Sequence, residues 1–432
     1  MKRICLLIML LVSLNLNHTF AQSGKWVSLD NGLPEVNSRY EDIYFSNPVT
    51  GWVIQFEGNI YKTLDGGSTW VTQLSKSGLN LRSIVFADDN YGWAGTLTVG
   101  DILYETTNGG ESWSSIHHRI PDEVPYGICG LSAPDENTIY GVGRYSGPAI
   151  LIKSTDKGKT WKSIGMSKYA GSLVDVHFFN SSFGIVVGGS GVFPNTKAIV
   201  LVTNDGGNSW FVAHETERIG EWGWKIHFVN NSLGYVSIER SNGRTFYLKT
   251  TNGGTKWEEK FFKRDYDVQG IVFVNQNEGY IGGWSGPTYQ TLDGGSSWSP
   301  ADFGYNINRF IMFGDSLGYS IGRQVYKYHS SKITSVQDFS TSPDKIDFKL
   351  YPNYPNPFNS QTKISFSVPE NTFAELSISN SIGEKLEVLV SGKISGGLNS
   401  FYWDANNLSS GIYYLTLETG KFKQTQKMIL LK

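Results

Sequence analysis

Cysteine is nearly absent: the 432 residues contain 2, Cys5 and Cys129. Cys5 lies in an apolar run at the start of the chain. If that run is removed, Cys129 alone remains, and one cysteine forms no internal disulfide. Stability must then come from a packed core. Net charge is also missing: Lys and Arg number 37 against 39 Asp and Glu, a balance of -2. No general attraction to nucleic acid or to an anionic membrane follows from that, and no basic stripe is visible. The 7 His are scattered. His117-His118, His177 and His227 lack a metal-ligand spacing, so neither a metal nor a cofactor is expected. Gly-rich GGSG at 188–191 lacks the following Lys-Ser/Thr and the helix of a phosphate loop, and reads as a turn. No stretch outside the N-terminus sustains helical spacing. Long apolar runs are missing too. ICLLIMLLVSL, behind Lys2 and Arg3, is too short for a good membrane span. With Thr19 and Ala21 it reads as a secretory signal over 1–21, leaving no transmembrane segment in the mature chain.

What is present is a repeat. An eight-residue phrase occurs six times: TLDGGSTW at 63–70, TTNGGESW at 106–113, STDKGKTW at 154–161, TNDGGNSW at 203–210, TTNGGTKW at 250–257 and TLDGGSSW at 291–298. Its third residue is Asp65, Asn108, Asp156, Asp205, Asn252 or Asp293. Asp and Asn side chains close tight turns by accepting backbone N–H bonds, and glycine supplies the backbone angles that other residues avoid. Alternating strand-like residues precede each copy, as in NIYKT and FYLKT. Each phrase therefore reads as a hairpin turn whose Trp opens the next strand. Trp70, Trp113, Trp161, Trp210, Trp257 and Trp298 are expected to wedge between neighbouring repeats.

Starting from Trp26, the Trp residues are spaced by 44, 43, 48, 49, 47 and 41. A period in the forties with four strands per unit predicts propeller blades. After Trp298 the pattern runs once more, as RFIMFG, GYSIGR and QVYKYH, and lacks a fourth strand. WVSL at 26–29 can supply it. The fold class expected is all-β: a seven-bladed β-propeller over 22–329, a linker at 330–347 and a small β-sandwich at 348–432.

The phrase resembles the Asp-box (BNR) repeat, found in sialidases, sortilin-type receptors and photosystem II assembly-factor-like propellers. The likeness to the last group covers about 25–329. It implies a structural role for the boxes, on the rim and away from any ligand. The tail, about 350–432, resembles the C-terminal sorting domain of type IX secretion cargo in the Bacteroidetes and their relatives. YPNPFN at 354–359, the Ile382-Gly383 turn and WDANNLSSGIYYL carry that likeness. It implies the type IX machinery as a partner, and a secreted or cell-surface location.

In a four-stranded blade, the boxes and other short turns emerge on one face. The variable loops emerge on the other: 95–101, 144–148, 188–197, 239–245 and 284–287 within blades, and 117–126, 214–224 and 262–269 between them. Binding residues concentrate on such loops. The candidates are Arg144, Tyr145, Arg218, Trp222, Trp224, Arg240, Arg244 and Trp284, with Glu221 nearby, because aromatics and Arg anchor interfaces. Arg39, Arg82 and Arg309 stand at the starts of first strands, where they can ring a channel mouth. The expected function is non-enzymatic binding of a protein or glycan. A sialidase-like glycoside hydrolase is the alternative. The Phe-Arg-Ile-Pro motif of the sialidases is missing, and xyloglucan-cleaving propellers usually pair two propellers. A structural or adhesive envelope component is a third reading.

Overall fold

The computed structural model describes residues 24–29, 32–34, 36, 39–121, 123–240, 243–330, 348–353, 356–394, 396–405 and 407–432. The expected signal segment, and the expected linker beyond residue 330, lie outside the described residues. Lys25 to His329 form seven four-stranded antiparallel sheets. The innermost strand of each sheet packs against that of the next, and Arg309–Phe313 of the last packs back on Tyr40–Phe45 of the first. The seven sheets thus close a ring, and we number the blades 1 to 7 from the sheet that begins at Tyr40. The only helical element among the described residues is a short 3-10 turn at His117–Arg119.

The chain ends of the propeller share blade 7. Lys25–Ser28 pairs antiparallel with Val325–His329, setting Trp26 opposite Tyr328. This supplies the missing fourth strand. The pairing completes blade 7, so the outer edge of every blade is a short fourth strand.

The boxes explain the hairpins. Asp65 Oδ1 accepts from the Thr63 hydroxyl at 2.8 Å and from the Thr69 N–H at 2.8 Å, while Oδ2 accepts from the Thr69 hydroxyl at 2.6 Å. Gly66 and Gly67 sit at φ +70° and +90°, where a side chain is strained. Trp70 Nε1 donates to the Gly67 carbonyl at 3.1 Å. Asn makes the same turn: the Ser112 N–H reaches Asn108 Oδ1 at 3.0 Å, and the Lys256 N–H reaches Asn252 Oδ1 at 3.0 Å. Each Trp packs between its own blade and the preceding one. Trp70 lies against Phe45, Phe313 and Tyr319, and Trp210 against Tyr140 and Phe178. Aromatic pairs also stack across blades, Phe45 on Tyr319 at 3.8 Å, Trp52 on Phe86 at 3.7 Å and Tyr235 on Phe273 at 3.7 Å. Each adds about 0.5–1.5 kcal/mol beyond its area.

The tail is a β-sandwich. Lys349–Leu350, Gln361–Val368 and Gly397–Asp404 form one sheet; Thr372–Asn380, Lys385–Ile394, Gly411–Thr419 and Lys423–Leu430 form the other. Phe358, Ile364, Trp403, Leu415 and Met428 meet in its core. Within the YPNPFN motif, Asn356 Oδ1 accepts from the Ile429 N–H at 2.9 Å, and Asn356 Nδ2 donates to the Lys427 carbonyl at 3.1 Å. The motif thus brackets the last strand.

One expectation is corrected here. Gly188 and Gly189 belong to the strand Gly184–Ser190 and do not form a turn. A Cβ on Gly188 would lie 2.1 Å from the Ser172 carbonyl oxygen, and one on Gly189 would lie 2.8 Å from the Trp222 ring. Gly188 lets the backbone of the first strand approach, and Gly189 makes room for a tryptophan.

Candidate binding site at the mouth of the channel

Each first strand starts at the variable-loop face and runs down the channel wall. Aligned on their first hairpins, the seven strands place two tiers of residues at its upper end. The lower tier includes Asp42, Asp175, Lys225 and Arg309. Arg309 of blade 7 reaches Asp42 of blade 1 through Nε at 3.1 Å and Asp175 of blade 4 through Nη1 at 3.1 Å. Blade 4 lies across the ring, so the guanidinium spans the channel. Lys225 adds a contact at 3.8 Å to Asp175. The Ile84 N–H donates to Asp42 Oδ2 and the Ile226 N–H to Asp175 Oδ2, each at 3.0 Å. Burial pushes the Asp42 carboxyl up. Burial acts on Asp175 as well, but Lys225 and Arg309 together hold its carboxyl below the usual range. This charge-balanced plug closes the channel from below, and the region above it, ringed by the variable loops, is called the cup here.

Just below, His177 and His227 fill equivalent places. His177 stacks on Phe228 at 5.7 Å, and His227 Nε2 lies 2.8 Å from the Phe273 carbonyl oxygen. Burial lowers both imidazoles to about 4, so they are neutral packing groups at ordinary pH.

The upper tier includes Glu41, Arg82, Trp224, Gln269 and Asn308. Arg82 pairs with Glu41, and its guanidinium lies 5.7 Å from the Trp224 ring. Arg39, 2% exposed, is 3.4 Å from Glu41, donates to Gln269 Oε1 at 3.2 Å and lies 4.1 Å over the Trp284 ring. Gln269 Nε2 donates in turn to Glu239 Oε2 at 2.6 Å. Burial, helped by Asp267, pushes the Glu239 carboxyl up to about 8. Burial raises Asp267 to about 6. Several buried atoms here have no hydrogen-bond partner among the described residues: Arg39 Nη1, Trp222 Nε1, Trp224 Nε1 and Asp267 Oδ1. Buried polar groups are ordinarily bonded, so these atoms are exceptions within a tightly packed charge network.

The candidate residues fall into two groups. Trp222 and Trp224 were expected to be exposed anchors, and both are buried, packing with Cys129 and Val174. Tyr145, 42% exposed, covers them at ring distances of 6.2 Å, and Phe193 stacks on Trp222 at 6.1 Å. Trp284 is half exposed on the other side of the cup, over Arg39. Arg218 and Arg240 form a separate network. Arg218 holds Glu221 at 2.6 Å and Glu259 at 2.6 Å, and Arg240 holds Glu221 at 2.9 Å. Arg244 is exposed and lies 4.8 Å over Phe261. Arg144 bonds the Ser146 hydroxyl at 3.1 Å. Arg39 and Arg82 share the mouth, whereas Arg309 sits one tier below. Glu41, Glu239, Asp267 and Gln269 were missed in the sequence. Their signal was position: each stands at a strand end beside the apolar run of a blade. The exposed apolar residues Val99, Tyr126, Tyr145, Val192, Phe193, Ile219 and Trp284 all lie on this face.

The fold and this cup define a class, an Asp-box β-propeller with a blind, aromatic-walled mouth, joined to a sorting-type tail. Comparison with known proteins gives it relatives. Residues 352–431 match the secretion system C-terminal sorting domain, and residues 19–128 match the photosynthesis system II assembly factor YCF48 family. The photosystem II assembly lipoprotein Ycf48 of Synechococcus sp. (strain CC9902) is 23% identical over 326 residues, 70% of this chain and 87% of that protein. The photosystem II stability/assembly factor HCF136 of Arabidopsis thaliana is 22% identical over 60% of this chain and 66% of its own length. The solved structure of YCF48 bound to D1 peptide aligns with a TM-score of 0.53 and 19% identity, covering 73% of this chain and 97% of that one. Over most of its length the chain is thus similar to Ycf48-type propellers, and its tail is similar to secretion-system sorting domains. Among the described residues, no helix is long and apolar enough to cross a membrane, and no group of His, Cys, Asp and Glu is arranged to hold a metal.

Proposed function

We propose that this chain is an exported, non-enzymatic binding propeller that holds an extended peptide segment of an envelope protein in its mouth. The observation that carries the reading is the pair of half-exposed rings at the mouth, Trp284 and Tyr145, set among the variable loops. Side chains of an extended peptide can lie on those rings. The relative solved with a D1 peptide supports a peptide as the ligand class. The tail supports passage across the outer membrane by the type IX route, ending in release or attachment at the surface. A glycoside hydrolase finds less support. Of the three carboxyls with raised pKa, Asp42 is paired with Arg309 in the plug, and Glu239 is tied through Gln269 to Arg39, as a structural charge network requires.

The test is capture from envelope and culture medium by the full chain and by a Trp284→Ala/Tyr145→Ala version. A partner kept by the first and lost by the second supports the reading. The same set captured by both overturns it. Deleting 348–432 is expected to hold the propeller in the periplasm; its unchanged appearance outside the cell would remove the sorting role.

A further inference from the structure

On the opposite face, one of the seams between blades is built differently from its counterparts. Lys62, Lys153, Lys249 and Lys327 occupy equivalent places on third strands. Three of them latch their blade to a neighbouring Asp box. Lys62 donates to the Gly109 carbonyl at 2.7 Å, Lys153 to Gly206 at 2.8 Å and Lys327 to Gly66 at 3.2 Å. At two of these seams a buried tyrosine hydroxyl donates to the same carbonyl, Tyr140 to Gly206 at 3.3 Å and Tyr319 to Gly66 at 3.2 Å. At the seam of blades 5 and 6 the equivalent donors are Lys249 and Tyr235, and the equivalent carbonyl belongs to Gly294. Lys249 makes no hydrogen bond or ion pair among the described residues, and the buried Tyr235 hydroxyl has no partner.

Tyr247 gives the physical reason. It stands where Ile60, Leu151 and Val325 stand in other blades, and its larger ring meets Trp298 edge-on at 5.8 Å. A Cβ on Gly295 would lie 2.0 Å from its hydroxyl oxygen. The sixth box is therefore held off. Gly295 and Trp298 are only partly buried, whereas their counterparts in the other five boxes are buried. The gap is an open cleft of about 560 Å³ lined by Lys249, Lys260, Asn277 and the Gly294–Ser296 turn. A smaller one of about 320 Å³ shares Lys249 and Lys260 with it and reaches Lys256.

The charge of this seam is also altered. The box of blade 5, TTNGGTKW, whose Lys256 lines the smaller cleft, has Asn252 where four of the six boxes have Asp, and Lys256 where the others have Ser or Thr. Relative to an Asp-bearing box that is a change of two positive charges. The Asp293 carboxylate on the far wall is already occupied by the Ser297 N–H at 2.9 Å and hydroxyl at 2.6 Å. Glu258 answers Lys260 at 2.5 Å, so Lys249 and Lys256 stand against the one remaining carboxylate, Asp293, and the two clefts together keep one positive charge in excess.

We propose that this cleft is a second ligand site, independent of the mouth, which takes an oxyanion: a carboxylate, sulfate or phosphate group. The oxyanion supplies the acceptor oxygens that a box carbonyl supplies at the latched seams, and the lysines supply the charge.

The test uses the full chain and calorimetric titration with inorganic phosphate, inorganic sulfate and glucuronate, at constant ionic strength. Saturable binding of at least one is expected. Lys249→Met/Lys256→Ser should weaken it tenfold or more, and Lys249→Arg should largely keep it. Lys62→Met, at a latched seam, should leave affinity unchanged; thermal melts of every variant establish folding. Preference for glucuronate assigns a carboxylate ligand, and preference for phosphate or sulfate assigns an ester. No saturable binding of any probe, or equal loss in Lys62→Met, overturns the proposal.

Discussion

The rim and the mouth of this propeller use the same residue types to opposite ends. On the rim, Asp65 spends its oxygens on residues within four positions, and Trp70 Nε1 bonds a glycine three residues back. Each such box is closed by its own sequence. In the mouth, Arg39 reaches Gln269 across 230 residues, and Arg309 reaches Asp175 across 134. Trp222 and Trp224 keep unpartnered N–H groups there. Residues that repeat along the chain close their turns locally and hold the fold, although the Trp113 and Trp298 N–H groups have no hydrogen-bond partner among the described residues. Residues that occur once are satisfied only through the closed ring. The repeat thus marks where function is least concentrated.

The contrast is broken most severely at the rim. Trp70→Ala removes a buried wedge between blades 1 and 7 and should cost about 3–5 kcal/mol in urea unfolding. A loss below 1 kcal/mol would mean that the boxes do not carry the fold. Next comes Asp65→Ala, which should cost about 1–2 kcal/mol through its lost turn bonds. Asp65→Asn should cost clearly less, because Asn108 and Asn252 already make the turn bond. Equal losses for Ala and Asn would show that charge matters there more than turn geometry.

The rim was legible in the sequence for the same reason that it is self-contained. Six in-register phrases gave the hairpins, their spacing gave the period, and WVSL gave the closing strand. The tail was equally legible, because Asn356 and Phe358 act inside a short motif. The mouth was legible only as a face. Trp222 and Trp224 follow a polar stretch, ETERIGE, and read as exposed, yet Gly189 of blade 4 opens a slot that buries Trp222. Glu41 and Asp42 look like ordinary polar strand residues. Their burial depends on Arg82 and Arg309, and spacing along the chain says nothing about which blades face each other. The open seam at Lys249 was hidden as well. Its lysine looks like the latched ones, and the difference lies in a tyrosine two residues away.

A subtler test concerns pH. The folded-state pKa of Glu239 is raised to about 8, well above the ordinary carboxyl value of about 4.3. Between those values the folded chain binds more protons than the unfolded chain, so stability falls as pH rises through that window and levels off above about 8. Asp267, raised to about 6, adds a similar decline that ends earlier. Urea unfolding at pH 5.5 and 8.5 should show the wild type weaker at the higher pH. Glu239→Gln, which keeps the bond to Gln269 by presenting its amide oxygen, should flatten most of that difference. An unchanged slope in the variant would place the titration elsewhere. No rim carboxylate should behave this way: Asp293 is held at about 2, first by the Ser297 hydroxyl, so any stability it adds is complete above the ordinary carboxyl range.

The smallest expected effect on stability sharpens the contrast most. Trp284 is half exposed and bears on Arg39 alone among the described charges. Trp284→Ala should therefore cost less than about 1 kcal/mol in unfolding, the range for an exposed cation–π contact. Its effect on a bound partner should be far larger, tenfold or more in Kd, because an aromatic at the centre of an interface buries most of its ring only on binding. Measured side by side, Trp70→Ala and Trp284→Ala form a double dissociation. The rim tryptophan should lower the unfolding midpoint and leave affinity intact in the molecules that remain folded. The mouth tryptophan should do the reverse. If both act on stability alone, the mouth is another piece of scaffold, and the oxyanion cleft becomes the leading candidate for where this propeller meets its ligand.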